Sequence, residues 1–211
     1  MTIMQLTIVR HGQSVWNDQR LIQGQQDPPL NEAGRRQAQQ VAAALAGDTN
    51  GPVYTSDLLR ARQTAQPIAE RLGVPLVVRP DLREIGMGAW EGLTEDQARE
   101  GDPALHAAWK RDSIANRPPG GESYHDLFER LRAALKEFSA GDPAPVVVTH
   151  YSAGRALIAM ALGAPLEAVR WFRLDNGSLS RLCRTSTGSW QLVALNDLSH
   201  LTPGGAPPPY D

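Results

Sequence analysis

The sequence has little cysteine and no long apolar run, and each absence excludes a class of protein. Cys183 is the only cysteine among the 211 residues, so no disulfide can form within the chain and no cysteine/histidine grid has the spacing of a structural zinc site. Apolar runs stay near the length of residues 156–162, whereas a membrane span needs roughly 18 residues. Residues 1–9 contain no basic leader, so we expect no secretory signal, no membrane partner and a cytoplasmic protein.

The chain also lacks a large excess of positive or negative charge. The 21 lysines and arginines against 23 aspartates and glutamates leave a net charge of −2, which disfavours a protein that coats nucleic acid. A hydrophobic content of 41% and a charged content of 21% are typical of globular proteins and exclude a largely disordered chain. At about 150 residues per domain, the length predicts a single domain over residues 1–198, followed by a Pro/Gly-rich tail at 199–211.

Short apolar runs alternate with amphipathic segments along the chain. Strands are predicted at 6–9, 53–55, 76–78 and 146–149, with two later strands near 178–183 and 190–195. Helices are predicted after Asn31, after Ser56, over 103–111, after Ser123 and over 153–162. This alternation predicts an α/β fold, specifically a three-layer α/β/α sandwich with a mostly parallel central sheet.

Two segments interrupt this regular pattern. Pro67 lies inside the helix predicted after Ser56, and we expect it to kink or end that helix because proline lacks the backbone N–H. Residues 81–122 are rich in glycine and proline. We predict that they form an excursion over the sheet and not a separate domain.

Histidine and arginine follow the ends of three predicted strands. His11 lies just past the first strand and His150 just past strand 146–149. Arg60 lies in the first helical turn after strand 53–55. Because the carboxyl ends of parallel strands meet at one edge of a sheet, we expect these side chains to lie close together, with Arg10 beside them. Sequence order separates them widely, and the predicted fold brings them together.

Such a cluster has the chemistry of phosphoryl transfer. Guanidinium groups present paired donors that match phosphate oxygens, and a neutral imidazole can accept a phosphoryl group as a phosphohistidine. The arginines would supply the positive charge, so we expect no metal and no cofactor. The helix after His150 is expected to add the backbone N–H of Tyr151 or Ser152 to the same anion. A carboxylic acid is also required, to protonate the leaving oxygen.

Several further segments resemble those of one family, the histidine phosphatase superfamily in its phosphoglycerate mutase-like branch. The resemblance covers roughly residues 7–195 and rests on segments that occur in the same order as in the family. They are VRHGQSVWN at 9–17, the Gly24, Asp27, Pro29-Leu30 and Gly34 set, YTSDLLRA at 54–61, LREI at 82–85 with GAWEG at 88–92, GGES at 120–123, VVTH at 147–150 and LDN at 174–176.

The resemblance implies a role for individual residues. His11 would be the nucleophile and Glu84 the general acid and base, although Asp81 and Glu91 compete with Glu84 for that role. Arg10, Arg60, His150 and Asn17 would hold the phosphoryl oxygens. Gln23, Gly24 and Tyr151 would contact the rest of the substrate.

One departure from the family concerns the residues after the second histidine. Many relatives carry two glycines there, whereas this chain has Tyr151-Ser152. The change is expected to alter substrate preference. Trp90 and Trp109 are expected near the pocket, and we interpret the other three histidines as surface or packing residues; they are His106, His125 and His200.

The resemblance implies metal-independent hydrolysis of small-molecule phosphate monoesters, by a monomer or homodimer. The segments after Trp16-Asn17 and around Arg60 look more like phosphatase members than mutase members of the family. Two alternatives stay open at this point: a cofactor-dependent phosphoglycerate mutase, and a non-catalytic protein that binds phosphate or phosphoprotein.

Overall fold

The computed structural model describes residues 5–47, 51–140 and 145–201. The described strands are β1 Gln5–Arg10, β2 Val53–Thr55, β3 Leu76–Val78, β4 Val146–Thr149, β5 Leu179–Arg184 and β6 Trp190–Asp197. The described α-helices are α1 Val15–Asp18, α2 Glu32–Ala44, α3 Leu59–Leu72, α4 Glu95–Gly101, α5 Pro103–Arg111, α6 Tyr124–Ala140 and α7 Tyr151–Ala161. Short 3-10 helices occur at Pro80–Leu82, Gly88–Trp90 and Leu166–Trp171.

The six strands form one sheet in the order β3-β2-β4-β1-β5-β6. The first four are mutually parallel, and β5 is antiparallel to both of its neighbours. Arg10 pairs with Thr149 in the register between β1 and β4, so these neighbouring strands end at the same level. His11 and His150 therefore leave the sheet side by side, as the strand-end argument predicted.

Helices cover both faces of the sheet. Side chains alternate between the faces of a strand, and Ile8 packs in one core cluster while its neighbour Val9 packs in the other. The Ile8 cluster includes residues of α6 and α7, such as Leu131 and Leu157. The Val9 cluster includes residues of α2 and α3. This arrangement confirms the predicted α/β/α sandwich with a mostly parallel sheet.

The structure corrects two predictions about α3. Ser56 does not cap the helix, because α3 begins later, at Leu59, with Leu58 in the N-cap position. Nor does Pro67 end it: α3 continues to Leu72 and stops at Gly73, which adopts a left-handed conformation. Buried apolar side chains on both sides of Pro67, with Ala65 and Ile68 at 0% exposure, anchor the helix across the missing hydrogen bond.

The excursion at 81–122 contains the predicted helix over 103–111, which is observed as α5. Ser123 opens α6 as predicted, because its hydroxyl and backbone exchange hydrogen bonds with Asp126. Helix α7 begins at Tyr151, two residues before the predicted start, directly after His150. Residues 202–211 of the predicted tail lie outside the described residues. Within the described part of the chain, no helix is both long and apolar enough to cross a membrane.

Candidate active site

The imidazole rings of His11 and His150 lie next to each other. Their centroids are 5.1 Å apart, and both residues are buried, with exposures of 2% and 0%. Backbone hydrogen bonds link the two loops, since the His11 N–H donates to the Thr149 carbonyl at 2.9 Å. Two histidines separated by almost 140 residues in sequence thus share one site because β1 and β4 are paired.

The ring of His11 is held in one tautomer. Its Nδ1 lies 2.7 Å from the Gly12 carbonyl oxygen, which can only accept, so Nδ1 carries the proton and Nε2 keeps its lone pair. Burial, together with the Arg60 and Arg10 guanidinium groups, holds the pKa of His11 well below the ordinary histidine value. His11 is therefore a neutral imidazole with a nucleophilic nitrogen.

Close backbone packing fixes the loop that carries His11. A Cβ atom on Gly12 would come within 2.5 Å of the Gly34 carbonyl oxygen, so this approach requires glycine. The Asn176 side-chain amide also donates to the His11 carbonyl at 3.0 Å. Together these contacts hold the backbone at His11 in place independently of any ligand.

His150 is oriented by Ser56. The hydroxyl of Ser56 lies 2.7 Å from Nε2 of His150 and accepts from the Leu58 N–H at 3.3 Å, so its own proton is available for Nε2. In that arrangement Nδ1 of His150 carries the proton, and this buried nitrogen has no hydrogen-bond partner among the described residues. Burial and the nearby cations, Arg60 first, lower the pKa of His150 as well. His150 is thus a neutral ring with a free donor.

Two guanidinium groups lie beside the histidines, and Arg60 is fully buried whereas Arg10 is partly buried. Arg60 is 0% exposed and donates to the backbone carbonyls of Gln26 and Gly24 at 2.7 and 2.9 Å, while Arg10 donates to the Leu174 carbonyl at 2.6 Å. Burial lowers the pKa of Arg60 to about 10, which leaves it charged at neutral pH. Because these carbonyl partners are neutral, they orient the guanidinium groups without neutralising them. Nε of each arginine is buried and has no partner within the described residues.

Glu84 lies at the N-terminus of α7. Its carboxylate accepts from the backbone N–H groups of Ser152 at 3.0 and 3.1 Å, of Ala153 at 3.2 Å and of Ile85 at 2.9 Å. Of the two backbone donors expected for the substrate anion, the Ser152 N–H is engaged by Glu84, so the expectation now falls on the Tyr151 N–H and stays a prediction. The N-terminus of α7 therefore holds the Glu84 carboxyl group in a fixed position.

The two competing carboxylates are engaged elsewhere. Asp81 pairs with Arg79 at 2.7 Å. Glu91 accepts from the backbone N–H groups of Gln25 and Met87 at 2.9 and 3.0 Å, and thereby supports the loop before Asp27. Glu84 lines the cavity into which His11 opens, whereas Asp81 and Glu91 do not.

That cavity has a volume of about 250 Å³. Seven of the nine predicted site residues line it: Arg10, His11, Gln23, Gly24, Arg60, Glu84 and Tyr151. His150 contacts the site through its neighbour His11. Asn17 does not line the cavity, because its amide oxygen accepts from the Ser14 N–H at 3.0 Å and from the Asn176 amide at 3.2 Å. The structure thus shows Asn17 in the capping box of α1.

Other lining residues were not predicted as site residues. They include Ile22, Ile85, Met87, Ser113, Tyr124, Ser152, Arg155, Val169 and Arg170. Arg155 left a signal in the sequence, since it is a lone charged residue within the apolar segment that forms α7. Most of the others come from the excursion and from residues 166–171, whose paths no local pattern indicates.

The tryptophan and histidine predictions have mixed outcomes. Trp109 lines the cavity, whereas Trp90 is buried behind it with the two rings 5.4 Å apart and edge-on. His106 packs against Trp90, and His125 is exposed on α6. Nε2 of His200 forms a hydrogen bond with the Gly177 carbonyl oxygen at 2.9 Å. Among the described residues, no three histidine, cysteine, aspartate or glutamate side chains cluster in a way that could hold a metal ion.

Comparison with known proteins identifies the family of this chain. Residues 6–198 match the histidine phosphatase superfamily (branch 1). The chain belongs to this superfamily. A curated relative, "Probable phosphoglycerate mutase GpmB" of Yersinia enterocolitica, is 38% identical over 210 residues that cover 94% of this chain and 95% of the relative.

Solved structures of the superfamily include phosphatases. A mycobacterial glucosyl-3-phosphoglycerate phosphatase in complex with VO3 is 32% identical, with a TM-score of 0.82 over 92% of this chain and 99% of that one. An alpha-ribazole phosphatase from Shigella flexneri is 28% identical, with a TM-score of 0.84 over 92% and 96% of the two chains. The proteins similar to this chain thus include structures named as phosphatases and a sequence relative named as a probable mutase.

Proposed function

We propose that this protein hydrolyses small-molecule phosphate monoesters without a metal ion, through a phosphohistidine on His11. The observation that carries the proposal is a buried, neutral His11 that opens into a cavity lined also by the guanidinium groups of Arg10 and Arg60 and the carboxyl group of Glu84. A phosphate dianion matches the two cations, and a neutral imidazole beside them is a nucleophile for phosphorus.

In the first step, the lone pair of His11 Nε2 attacks phosphorus while the bond from phosphorus to the ester oxygen breaks. Arg10, Arg60 and the Nδ1–H of His150 bind the non-bridging oxygens, where negative charge accumulates. The Glu84 carboxyl group donates its proton to the departing alkoxide.

In the second step, water replaces the departed alcohol. The Glu84 carboxylate takes a proton from the water as its oxygen bonds to phosphorus, and the bond from phosphorus to Nε2 breaks. Inorganic phosphate leaves, the His11 imidazole is again neutral, and the Glu84 carboxyl group is again protonated. The arginines contribute the positive charge that a divalent ion supplies in other phosphoryl-transfer enzymes.

Isomerisation of phosphoglycerate is the second candidate, because the curated relatives at 36–38% identity carry that name. Both reactions share the phosphohistidine and differ in the acceptor, which is water in one and a hydroxyl of the bound acid in the other. The named phosphatase structures at 28–32% identity support hydrolysis. The segments near Trp16 and Arg60, which resemble phosphatase members of the family, also favour hydrolysis.

Hydrolysis of p-nitrophenyl phosphate in the presence of a chelator tests the proposal. We expect steady turnover that added EDTA does not reduce, because every positive charge in the proposed mechanism comes from the chain. A parallel assay follows conversion of 3-phosphoglycerate to 2-phosphoglycerate with a bisphosphorylated primer. Isomerisation faster than release of inorganic phosphate would establish the mutase reaction instead. Binding of phosphate esters without turnover, and with no acid-labile phosphoenzyme, would indicate a non-catalytic protein.

Ser56 is expected to act as a positioning residue for His150. Its replacement by alanine should lower kcat/KM for p-nitrophenyl phosphate about tenfold, since a buried hydrogen bond contributes about 1–1.5 kcal/mol and about 1.4 kcal/mol corresponds to a factor of ten. We expect the loss in kcat more than in KM, because the oriented Nδ1–H of His150 binds the transferring phosphoryl group most strongly in the transition state.

The control for this substitution is Ser178→Ala. Ser178 is equally buried, at 1% exposure, but its hydroxyl has no partner among the described residues. Its loss should leave kcat/KM near the wild-type value. Equal kinetics for the Ser56 and Ser178 variants would refute the positioning role.

A further inference from the structure

One guanidinium group holds the loop that carries Glu84. Arg130, on α6, donates from Nη1 to the backbone carbonyls of Asp81 and Arg83, both at 2.9 Å, and from Nη2 to that of Glu84 at 3.1 Å. Its remaining N–H groups, on Nε and Nη2, donate to the Glu122 carboxylate at 3.0 and 2.8 Å. Arg130 thus uses all five of its N–H donors. Because it lies outside the cavity lining, it can affect the reaction only through other residues.

Glu122 binds the same loop on the other side of Glu84. Its Oε2 accepts from the backbone N–H of Gly86 at 2.8 Å, and its own backbone N–H donates to the Gly86 carbonyl at 2.8 Å. The side chains of Arg130 and Glu122 are 20% and 24% exposed, so water competes little for these bonds. Glu122 belongs to the GGES segment at 120–123, to which the proposed chemistry assigns no role.

The loop depends on such contacts because it has no regular structure of its own. Residues 83–87 are in neither a helix nor a strand, so no backbone ladder satisfies their polar groups. The Leu82 carbonyl accepts from the Thr149 hydroxyl at 2.9 Å. Side chains of α6 and β4 therefore bind the four successive backbone carbonyls of 81–84. Since Thr149 directly precedes His150, the loop is fixed to the strand end that presents the second histidine.

These contacts locate the backbone from which the proposed acid extends. The N-terminus of α7 holds the Glu84 carboxyl group, but the reach of that group depends on where its own Cα lies. We propose that Arg130, oriented by Glu122, is a positioning residue that sets the distance between the Glu84 carboxyl group and the departing ester oxygen. This inference rests on the proposed function and adds the residues that place its acid.

Arg130→Lys tests this role. Lysine keeps a positive charge opposite Glu122, but its single ammonium group has three donors and cannot bind three loop carbonyls and the carboxylate together. We expect kcat/KM for glycerol 3-phosphate to fall about ten- to hundredfold, as a misplaced catalytic group does. For p-nitrophenyl phosphate, kcat/KM should change less than about twofold, because nitrophenolate leaves His11-bound phosphate behind without needing a proton.

Two comparisons separate positioning from general support of the fold. Arg132→Lys, the same substitution at an exposed residue of α6 that pairs with Glu129, should leave both esters at the wild-type rate. In a Glu84→Gln background, Arg130→Lys should cause no further loss for glycerol 3-phosphate, because no acid remains to be misplaced. Equal losses for the two esters, or the same loss in both backgrounds, would overturn the proposal.

Glu122→Gln covers the case in which Arg130→Lys does not fold. Glutamine keeps an oxygen for the Gly86 N–H and removes only the charge that orients Arg130. The loss for glycerol 3-phosphate should be smaller, about three- to tenfold, with p-nitrophenyl phosphate again nearly unaffected. An unchanged ratio between the two esters would contradict the positioning role while hydrolysis continues. Absence of turnover by the wild type, in contrast, would refute the proposed hydrolase function itself.

Discussion

Replacing His11 by alanine is expected to lower kcat/KM for p-nitrophenyl phosphate by at least about 10³-fold, because removal of a catalytic nucleophile leaves only the binding groups. The remaining arginines would still bind the dianion, so KM should change far less than kcat. Phosphate release under saturating ester measures the loss. The same variant should trap no phosphate on the protein.

The covalent intermediate gives this prediction a second readout. Wild-type protein mixed with a ³²P-labelled ester and quenched in alkali should carry label that acid removes, as the bond from phosphorus to nitrogen is acid-labile. The control is His125→Ala, since His125 is exposed on α6 and should leave both rate and labelling unchanged. Full labelling of the His11 variant would assign the nucleophile to another residue.

For Glu84→Gln we expect a loss that depends on the leaving group. General acid catalysis contributes about 10²–10⁴-fold, and it matters most where the alkoxide is a poor leaving group. Hydrolysis of an alkyl ester such as glycerol 3-phosphate should therefore fall by at least about 10²-fold. Hydrolysis of p-nitrophenyl phosphate should fall much less in the first step, because nitrophenolate leaves without a proton.

Pre-steady-state kinetics separate the two steps for Glu84→Gln. With p-nitrophenyl phosphate the variant should release a rapid burst of nitrophenolate and then turn over slowly, because the second step still lacks its base. Glu129→Gln is the matched control, since Glu129 is exposed and paired with Arg132 on the surface of α6. An equal loss for both esters, without a burst, would mean that Glu84 has no acid–base role.

Helix α3 has two features that local sequence patterns do not predict. The apolar spacing predicted the helix, but not its continuation past Pro67 to Leu72 or the role of Ser56. Propensity rules describe the isolated segment, whereas packing against the sheet decides whether a proline ends the helix. The Ser56 hydroxyl contacts His150, a partner 94 residues away, which no local pattern can identify.

Sequence reasoning placed the histidine and arginine cluster better than the rest of the cavity lining. His11, Arg60 and His150 follow strand ends, and the rule that parallel strands share a carboxyl edge predicts that they lie close together. Gln23 and Gly24 line the cavity as the family resemblance implied. Arg155 was not predicted as a site residue, because a lone charge in an apolar segment does not by itself indicate which cavity the side chain lines.

The sequence by itself determined the six strands and five of the seven described α-helices in chain order, the edge of the sheet where His11, Arg60 and His150 meet, and the family resemblance that implies His11 as nucleophile. These features are encoded by short-range periodicity and by residue types at strand ends. Only the tertiary structure decided the tautomers of the two histidines, the capture of the α7 N-terminus by Glu84 and the contacts of Arg130 with the loop that carries Glu84. Each of these depends on contacts between segments far apart in the chain, where burial and distance set which charge is neutralised and which is left for a ligand.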